Sequence, residues 1–245
     1  MIRNRYIPCL LLHDDGLVKS ERFKNYKYIG DPINAVKIFN DKEADEIIFL
    51  DIDASKYKSG PNFTVLQDLT SECFMPLAYG GGIEKLNQIE RLLKLGIEKV
   101  IINHMGLESQ TFIKEAVSYF GSSTIVGAID VKRDFFGKKF VYDHVSSRVL
   151  KVHPIDLAKR YCETGVGEIF LNSVDLDGTL KGYDLELIAN VSREISVPLI
   201  ASGGASSIDN LEQGIRAGAS ACAAGSLFVY QGSHKAVLIS YPKNI

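Results

Sequence analysis

Short apolar runs alternate along this chain with stretches in which apolar residues return every three or four positions. Eight such runs stand out, at residues 6–12, 46–52, 76–79, 99–103, 125–130, 168–173, 198–202 and 221–225. Most are continuously hydrophobic, the pattern of strands buried on both faces of a parallel sheet. Between them, residues 32–42, 83–95, 108–120, 155–164, 185–195 and 208–217 carry one apolar face at helical period. In the third of these, Phe112-Ile113-Lys114-Glu115-Ala116-Val117-Ser118-Tyr119-Phe120 is followed by Gly121, a residue suited to stop a helix. Eight strands, each followed by a helix, within 245 residues is the arithmetic of an α/β fold closed into a single (β/α)8 TIM barrel. An open doubly wound sheet is the alternative, because period alone does not report closure.

The pattern also repeats. Phe49-Leu50-Asp51-Ile52-Asp53 is echoed by Phe170-Leu171-Asn172-Ser173-Val174-Asp175, and Gly80-Gly81-Gly82 by Ser202-Gly203-Gly204. Asn103 and Gly225-Ser226 follow the two glycine clusters at similar distances. One domain over residues 1–245 is therefore expected to hold two half-barrels, about 1–122 and 123–245, with two equivalent ligand sites. Residues 13–29 and 132–152 are poor in helical pattern, and each follows the first strand of a half. Such long connections are expected to be functional or disordered loops.

Composition narrows the function classes. The chain is 46% hydrophobic and 24% charged with a formal net charge of −2, so the basic footprint of a nucleic-acid binder is missing. Its apolar runs fall far short of the roughly 20 residues that a spanning helix needs. Met1-Ile2-Arg3-Asn4-Arg5 leads into the first apolar run without a small-residue cleavage site, which reads as a cytoplasmic protein with no leader. Cys9, Cys73, Cys162 and Cys222 lie far apart and suit reduced thiols, Cys9 as a small core hydrophobe. His13, His104, His144, His153 and His234 show no metal-ligand spacing and read as solvated or core residues, with His104 the exception because it adjoins Asn103. No residue pattern calls for a metal or another cofactor.

In such a barrel the C-terminal ends of the strands build the site. Gly82 with Asn103 on one side, and Gly204, Gly225 and Ser226 with Ser202 on the other, let backbone amides approach an anion closely, so both clusters read as phosphate cups. The plainer alternative is a set of tight turns. Two facing cups imply a long ligand with a phosphate at each end. Asp51, Asp130 and Asp177, the last in Asp177-Gly178-Thr179, fall at or just beyond strand ends, where a carboxylate can move protons. Asp130 is best placed, because the strand that it ends is too apolar to hold an ionised group except at the mouth. Asp51 has a structural, hydrogen-bonded role as its alternative, and Asp177 a plain turn. Lys132, Arg133, Lys138 and Lys139 read as a solvated run that could fold over an anionic substrate. On the opposite rim, Arg5, Glu46, Lys99 and Glu168 each open a strand. They are either solvated strand-end charges or a ring of ion pairs that closes the base and can act as a gate.

With Gly30-Asp31-Pro32, Phe49-Leu50-Asp51-Ile52, Gly80-Gly81-Gly82-Ile83, Ala128-Ile129-Asp130, Asp177-Gly178-Thr179 and Ile200-Ala201-Ser202-Gly203-Gly204-Ala205 assembled, nearly the whole chain resembles the HisF family, the cyclase subunit of imidazole glycerol phosphate synthase. The resemblance implies two phosphate sites, at Gly82 and Asn103 and at Asp177, Gly178, Gly204, Gly225 and Ser226. It implies a charged gate at Arg5, Glu46, Lys99 and Glu168, and a glutaminase partner that docks on that face and sends ammonia up the barrel axis. One departure stands out: of the family's two catalytic aspartates the second matches Asp130, but the first falls on Leu11. His104 likewise stands where a small hydroxyl residue is usual. The segment from Leu10 to Lys19 is similar to HisF-like proteins of surface-polysaccharide clusters, which accompany a glutaminase and an ATP-dependent amidotransferase that turns acetamido sugars into acetamidino sugars. The expected function is therefore ammonia delivery to a phosphorylated or nucleotide-linked sugar, with Asp130 as the remaining acid–base group. The alternatives are a genuine cyclase in which Asp14 or Asp15 does the work lost at Leu11, a scaffold that only channels ammonia, and a sugar-phosphate isomerase of the same barrel class.

Overall fold

A computed structural model describes residues 4–232 and 234–242 of the chain. Residues 1–3, where the stretch read as free of a leader begins, lie outside the described residues. The first half contains β1 (Arg5–His13), β2 (Gly16–Glu21), β3 (Lys24–Gly30), α1 (Pro32–Asp41), β4 (Ile47–Asp51), α2 (Phe63–Glu72), β5 (Leu77–Gly80), α3 (Leu86–Lys94), β6 (Lys99–Ile102), α4 (His104–Glu108) and α5 (Gln110–Phe120). The second contains β7 (Ile125–Arg133), β8 (Lys139–Asp143), β9 (Arg148–Val149), α6 (Pro154–Thr164), β10 (Glu168–Ser173), α7 (Leu185–Ser192), β11 (Leu199–Ser202), α8 (Ile208–Arg216), β12 (Ala221–Ala224) and α9 (Ser226–Val229). A short hairpin of β13 (Tyr230–Gln231) and β14 (Ala236–Val237) ends the described chain.

Eight of these strands pair in parallel in the order β1-β4-β5-β6-β7-β10-β11-β12, and β12 returns to pair with β1. The sheet is closed and the expected (β/α)8 barrel is the fold. Local chemistry sets the helices where the apolar period predicted them: Asp31, Ser109, Asp184 and Ser207 accept hydrogen bonds from amides of the first turns of α1, α5, α7 and α8. The apolar residues divide into two layers. A large cluster lies between sheet and helices, and a narrow column that includes Ile7, Ile48, Ile101, Val126, Phe170 and Ile200 fills the barrel axis.

Four expectations need correction. The helix expected over 108–120 is broken at Ser109, whose extended backbone (φ −147°) lets its hydroxyl cap α5 and separates α4. The helix α2 lies outside the segments singled out by their period; only Leu66 and Leu69 are buried along it, too few to make a clear stripe. After β12 the unit closes with the single turn of α9 rather than a full helix. Finally, the two helix-poor stretches are hairpins rather than loops. β2 folds antiparallel on β1 and β3 on β2, while β7 runs on past Asp130 to pair with β8. At the tip of the second hairpin Asp134 accepts hydrogen bonds from the amides of Phe136 and Lys138, which closes the turn.

All four cysteines are free, and burial pushes the Cys9 thiol up to about 12, so it behaves as a core hydrophobe. Among the described residues no helix is long and apolar enough to cross a membrane.

Candidate functional site

Side chains alternate across a strand, so residues two apart share a face. On β1 that face carries Arg5, Ile7, Cys9 and Leu11; on β10 it carries Glu168, Phe170 and Asn172; on β7 it carries Val126, Ala128 and Asp130. Each strand thus contributes to the base, the axis and the mouth in turn.

At the base the structure brings all four singled-out charges together. Arg5 donates to Glu46 at 3.0 Å and to Glu168 at 2.7 Å, while Lys99 donates to the same two carboxylates at 3.2 and 3.0 Å. The charges alternate in a closed ring across the axis rather than pointing separately into solvent. The apolar column lies directly above it.

At the mouth lies a cavity of about 510 Å³. Leu11, Asp51, Gly82, Asn103, Asp130, Asp177, Gly178, Ser202, Gly204, Gly225 and Ser226 all line it. Asp130 is the most buried carboxylate of this lining. One of its oxygens accepts from Asn103 at 2.9 Å and the other from Asn172 at 3.3 Å, and among the described residues no lysine or arginine is paired to it. Burial pushes its pKa up to about 7; the two amides oppose the shift, and the charges of Asp177 and Asp143 add to it. The Asn172 oxygen faces Gly203 and has no hydrogen-bond partner although it is buried. Leu11 lies on the inward face of β1, across the barrel from β7, and is paired in register with Leu50.

Asp51 fits the structural alternative. One oxygen accepts from the amides of Asp53 and Ala54, both at 3.0 Å, and the other from the Tyr79 hydroxyl at 3.5 Å. Burial raises its pKa, against the pull of those hydrogen bonds. Asp177 is half-buried beside Lys19 and Ser20; desolvation raises its pKa, and Lys19 and the Ser20 hydroxyl limit the rise.

The two glycine cups are not equivalent, contrary to the repeat. In the first, the Gly82 amide already donates to the Ser55 hydroxyl at 3.0 Å, and His104 pairs with Asp143 at 3.1 Å. In the second, Lys19 reaches in from β2, within 3.4 Å of the Cys9 carbonyl, and its ammonium occupies the space that a side chain at Gly225 would need. Gly178 must also be glycine: its φ is +72°, and a Cβ there would strike the Ser20 carbonyl oxygen. The second cup therefore holds a lysine ammonium against its Gly225 backbone, while Lys56, next to Ser55, lines the cavity on the side of the first.

Several readings of single residues change. His13 and His144 are neither core nor freely solvated, facing Asp53 and Asp130 respectively, whereas His104, the exception beside Asn103, lines the mouth and faces Asp143. Lys139 leaves the expected solvated run to pair with Asp184 and Glu186 at 2.8 and 2.9 Å, and Lys132 lies over the Tyr142 ring and lines the cavity. Asp14 and Asp15 are exposed on the turn between β1 and β2 and are not part of the cavity wall. Sequence reasoning missed Lys19, Asn172 and His144. For Lys19 the signal was a lysine directly after Leu17-Val18; for His144 no signal exists without the hairpin that returns it. Among the described residues no cluster of three or more His, Cys, Asp or Glu is arranged to hold a metal ion.

Comparison with known proteins agrees with this architecture. Residues 5–235 match the family described as histidine biosynthesis protein. The chain is 50% identical over 243 residues (99% of this chain, 97% of the relative) to a Pseudomonas aeruginosa protein provisionally named imidazole glycerol phosphate synthase subunit hisF2. It is 47% identical over 244 residues (99% and 96%) to a Leptospira borgpetersenii protein provisionally named the HisF subunit of the same synthase. It is also 38% identical over 231 residues (94% and 92%) to the imidazole glycerol phosphate synthase subunit HisF of Alkaliphilus metalliredigens.

Proposed function

The chain belongs to the HisF family of histidine-biosynthesis proteins, and from that premise we propose that it is a barrel subunit that receives ammonia from a glutaminase partner and supports amidination, acetamido to acetamidino, of a phosphorylated or nucleotide-linked sugar for surface polysaccharide. The observation that carries this reading is Leu11 at the mouth, opposite the retained Asp130. Leucine has no proton to give, and an acid–base group contributes about 10²–10⁴-fold to a rate, so the family's two-aspartate chemistry loses one member.

The ring of Arg5, Glu46, Lys99 and Glu168 supports a gate, since it bars the axis with ion pairs that a partner could rearrange. The apolar column above suits passage of neutral ammonia and disfavours ammonium. A glutaminase would dock on the face where the strands begin. Phe74, 85% exposed before β5, and Tyr119, 74% exposed in the last turn of α5, present aromatic surface there, as partner interfaces do. The second cup, with Lys19, Gly178, Gly204, Gly225 and Ser226, would take a phosphate of the ligand, and the first, at Gly82 and Asn103, its other anionic end. An ATP-dependent amidotransferase would be the third member of this cytoplasmic system, because an amide oxygen must be activated before ammonia can replace it.

A genuine histidine-pathway cyclase is the second reading, favoured by the retained Asp130 and by the name of the Alkaliphilus relative. Its proposed substitutes for the lost aspartate, Asp14 and Asp15, are exposed away from the cavity. A pure scaffold would leave the polar lining of the mouth without use. Steady-state turnover of the histidine-pathway ribonucleotide with saturating ammonium, compared between wild type and Leu11→Asp, separates the readings. Silence in the wild type and activity in Leu11→Asp is the expected result; turnover by the wild type at the rate of a histidine-pathway enzyme overturns the proposal.

A further inference from the structure

Leu11 removes one proton-transferring group from the mouth, and the structure places another in reach of Asp130. β7 continues beyond Asp130 and β8 folds back on it, with Val131 opposite Val141. That register returns His144, the second residue after Tyr142, to the cavity wall, where its Nδ1 lies 3.9 Å from Asp130 Oδ2. We propose that His144 and Asp130 form a proton-sharing pair, in which the imidazole supplies the second acid–base group that position 11 lacks. The inference rests on the functional reading above only for the identity of the acceptor molecule.

The transfer is simple to balance. The O–H bond of a protonated Asp130 breaks, an N–H bond forms at His144 Nδ1, and a carboxylate faces an imidazolium; the reverse step restores the neutral pair. A separation of 3.9 Å exceeds a direct hydrogen bond and is closed by a small rotation of the ring or by one bridging water. Burial raises Asp130 to about 7 and lowers His144, so both shifts favour the neutral pair, a carboxylic acid facing a neutral imidazole, as the resting form.

Neighbouring charged groups tune His144. From its own strand end Asp143 raises its proton affinity and from the start of α4 His104 lowers it. Asp143 is itself fixed: it accepts from the Ser146 hydroxyl at 2.6 Å and from the amides of Val145 and Ser146, and it pairs with His104. From β7 come Asp130 and Lys132, the latter over the Tyr142 ring. Beyond Asp130 stands Asp177, with Lys19 of β2 beside it. His104 and Asp143 are thus positioning residues, and His144 is the group facing the cavity centre.

The test needs no substrate. Ring-labelled histidine resonances are followed through a pH titration of the full-length protein, with His144 assigned by its loss in His144→Gln. In Asp130→Asn the His144 midpoint is expected to fall by about one pH unit, a tenfold loss of proton affinity, because the neighbouring carboxylate is gone. Reciprocally, the Asp130 carboxyl carbon, read in His144→Gln, is expected to lose the step it shares with the ring; this second measurement stands if Asp130→Asn folds poorly. A His144 midpoint unmoved by Asp130→Asn, or an Asp130 titration identical in wild type and His144→Gln, overturns the pair. Coupled titrations together with normal histidine-pathway turnover by the wild type would support the pair while overturning the proposed acceptor.

Discussion

At the base of the barrel, Glu46 and Glu168 each receive both a guanidinium and an ammonium; at the mouth, Asp130 receives two amides. All three carboxylates are largely buried on the same inward strand faces. At the base, charge offsets charge, which closes the ring and leaves little for chemistry to use. At the mouth, hydrogen bonds orient the group without neutralising it, and burial drives its proton affinity toward neutrality. One end of the axis pairs its carboxylates with cations, and the other leaves its carboxyl to amide hydrogen bonds alone.

Breaking the base should have the largest effect. Glu168→Ala leaves Arg5 and Lys99 facing Glu46 alone, and uncompensated buried charge costs about 3–5 kcal/mol. Urea unfolding measures it; a loss below about 1 kcal/mol would mean that the ring behaves as a solvent-screened surface network.

The mouth predicts a pH dependence of opposite origin. An unfolded aspartate ionises near its ordinary value of 3.8 and the folded Asp130 near 7, so the unfolded chain gives up the proton first. Stability from this group is therefore lost as pH rises from about 4 to about 7 and is level above. The drop is on the order of 4 kcal/mol, and Asp130→Asn should flatten it. Equal slopes for wild type and Asp130→Asn in unfolding curves across that range would place the carboxyl in a more hydrated setting.

Two smaller changes sharpen the contrast within the mouth. Gly178→Ala forces a Cβ onto the Ser20 carbonyl at a φ of +72° and should cost about 2 kcal/mol, read as a shift in thermal midpoint. Ser146→Ala removes the hydroxyl on Asp143 and should cost about 1 kcal/mol. Burial raises the Asp143 pKa, but the Ser146 hydroxyl, the Val145 and Ser146 amides and His104 outweigh it and hold the carboxyl below its usual range. Carboxyl-carbon titration of Asp143 in Ser146→Ala should therefore move upward, and an unmoved midpoint would assign the depression to the two amides and His104 instead.

Much of this was legible in the chain. Continuous apolar runs can only be strands covered on both faces, and eight of them with helices between place Asp130, Leu11 and the glycines at one rim and Arg5, Glu46, Lys99 and Glu168 at the other. What was hidden is of another kind. The break at Ser109 depends on a single hydroxyl choosing to cap α5, and α2 buries too narrow a stripe to stand out. The inequivalence of the two cups rests on Lys19, which reaches Gly225 only because β2 folds onto β1.

The sequence by itself determined the count of barrel strands and the rim at which their charged end residues stand, because these follow from local period and residue type, whereas Leu11 stands out only against the HisF resemblance. Only the tertiary structure decided that the sheet closes between β12 and β1, that four strand-end charges meet in one ring, and that His144 returns to Asp130. These depend on register between segments far apart in the chain. Register is set by long-range pairing and packing, which no local pattern encodes.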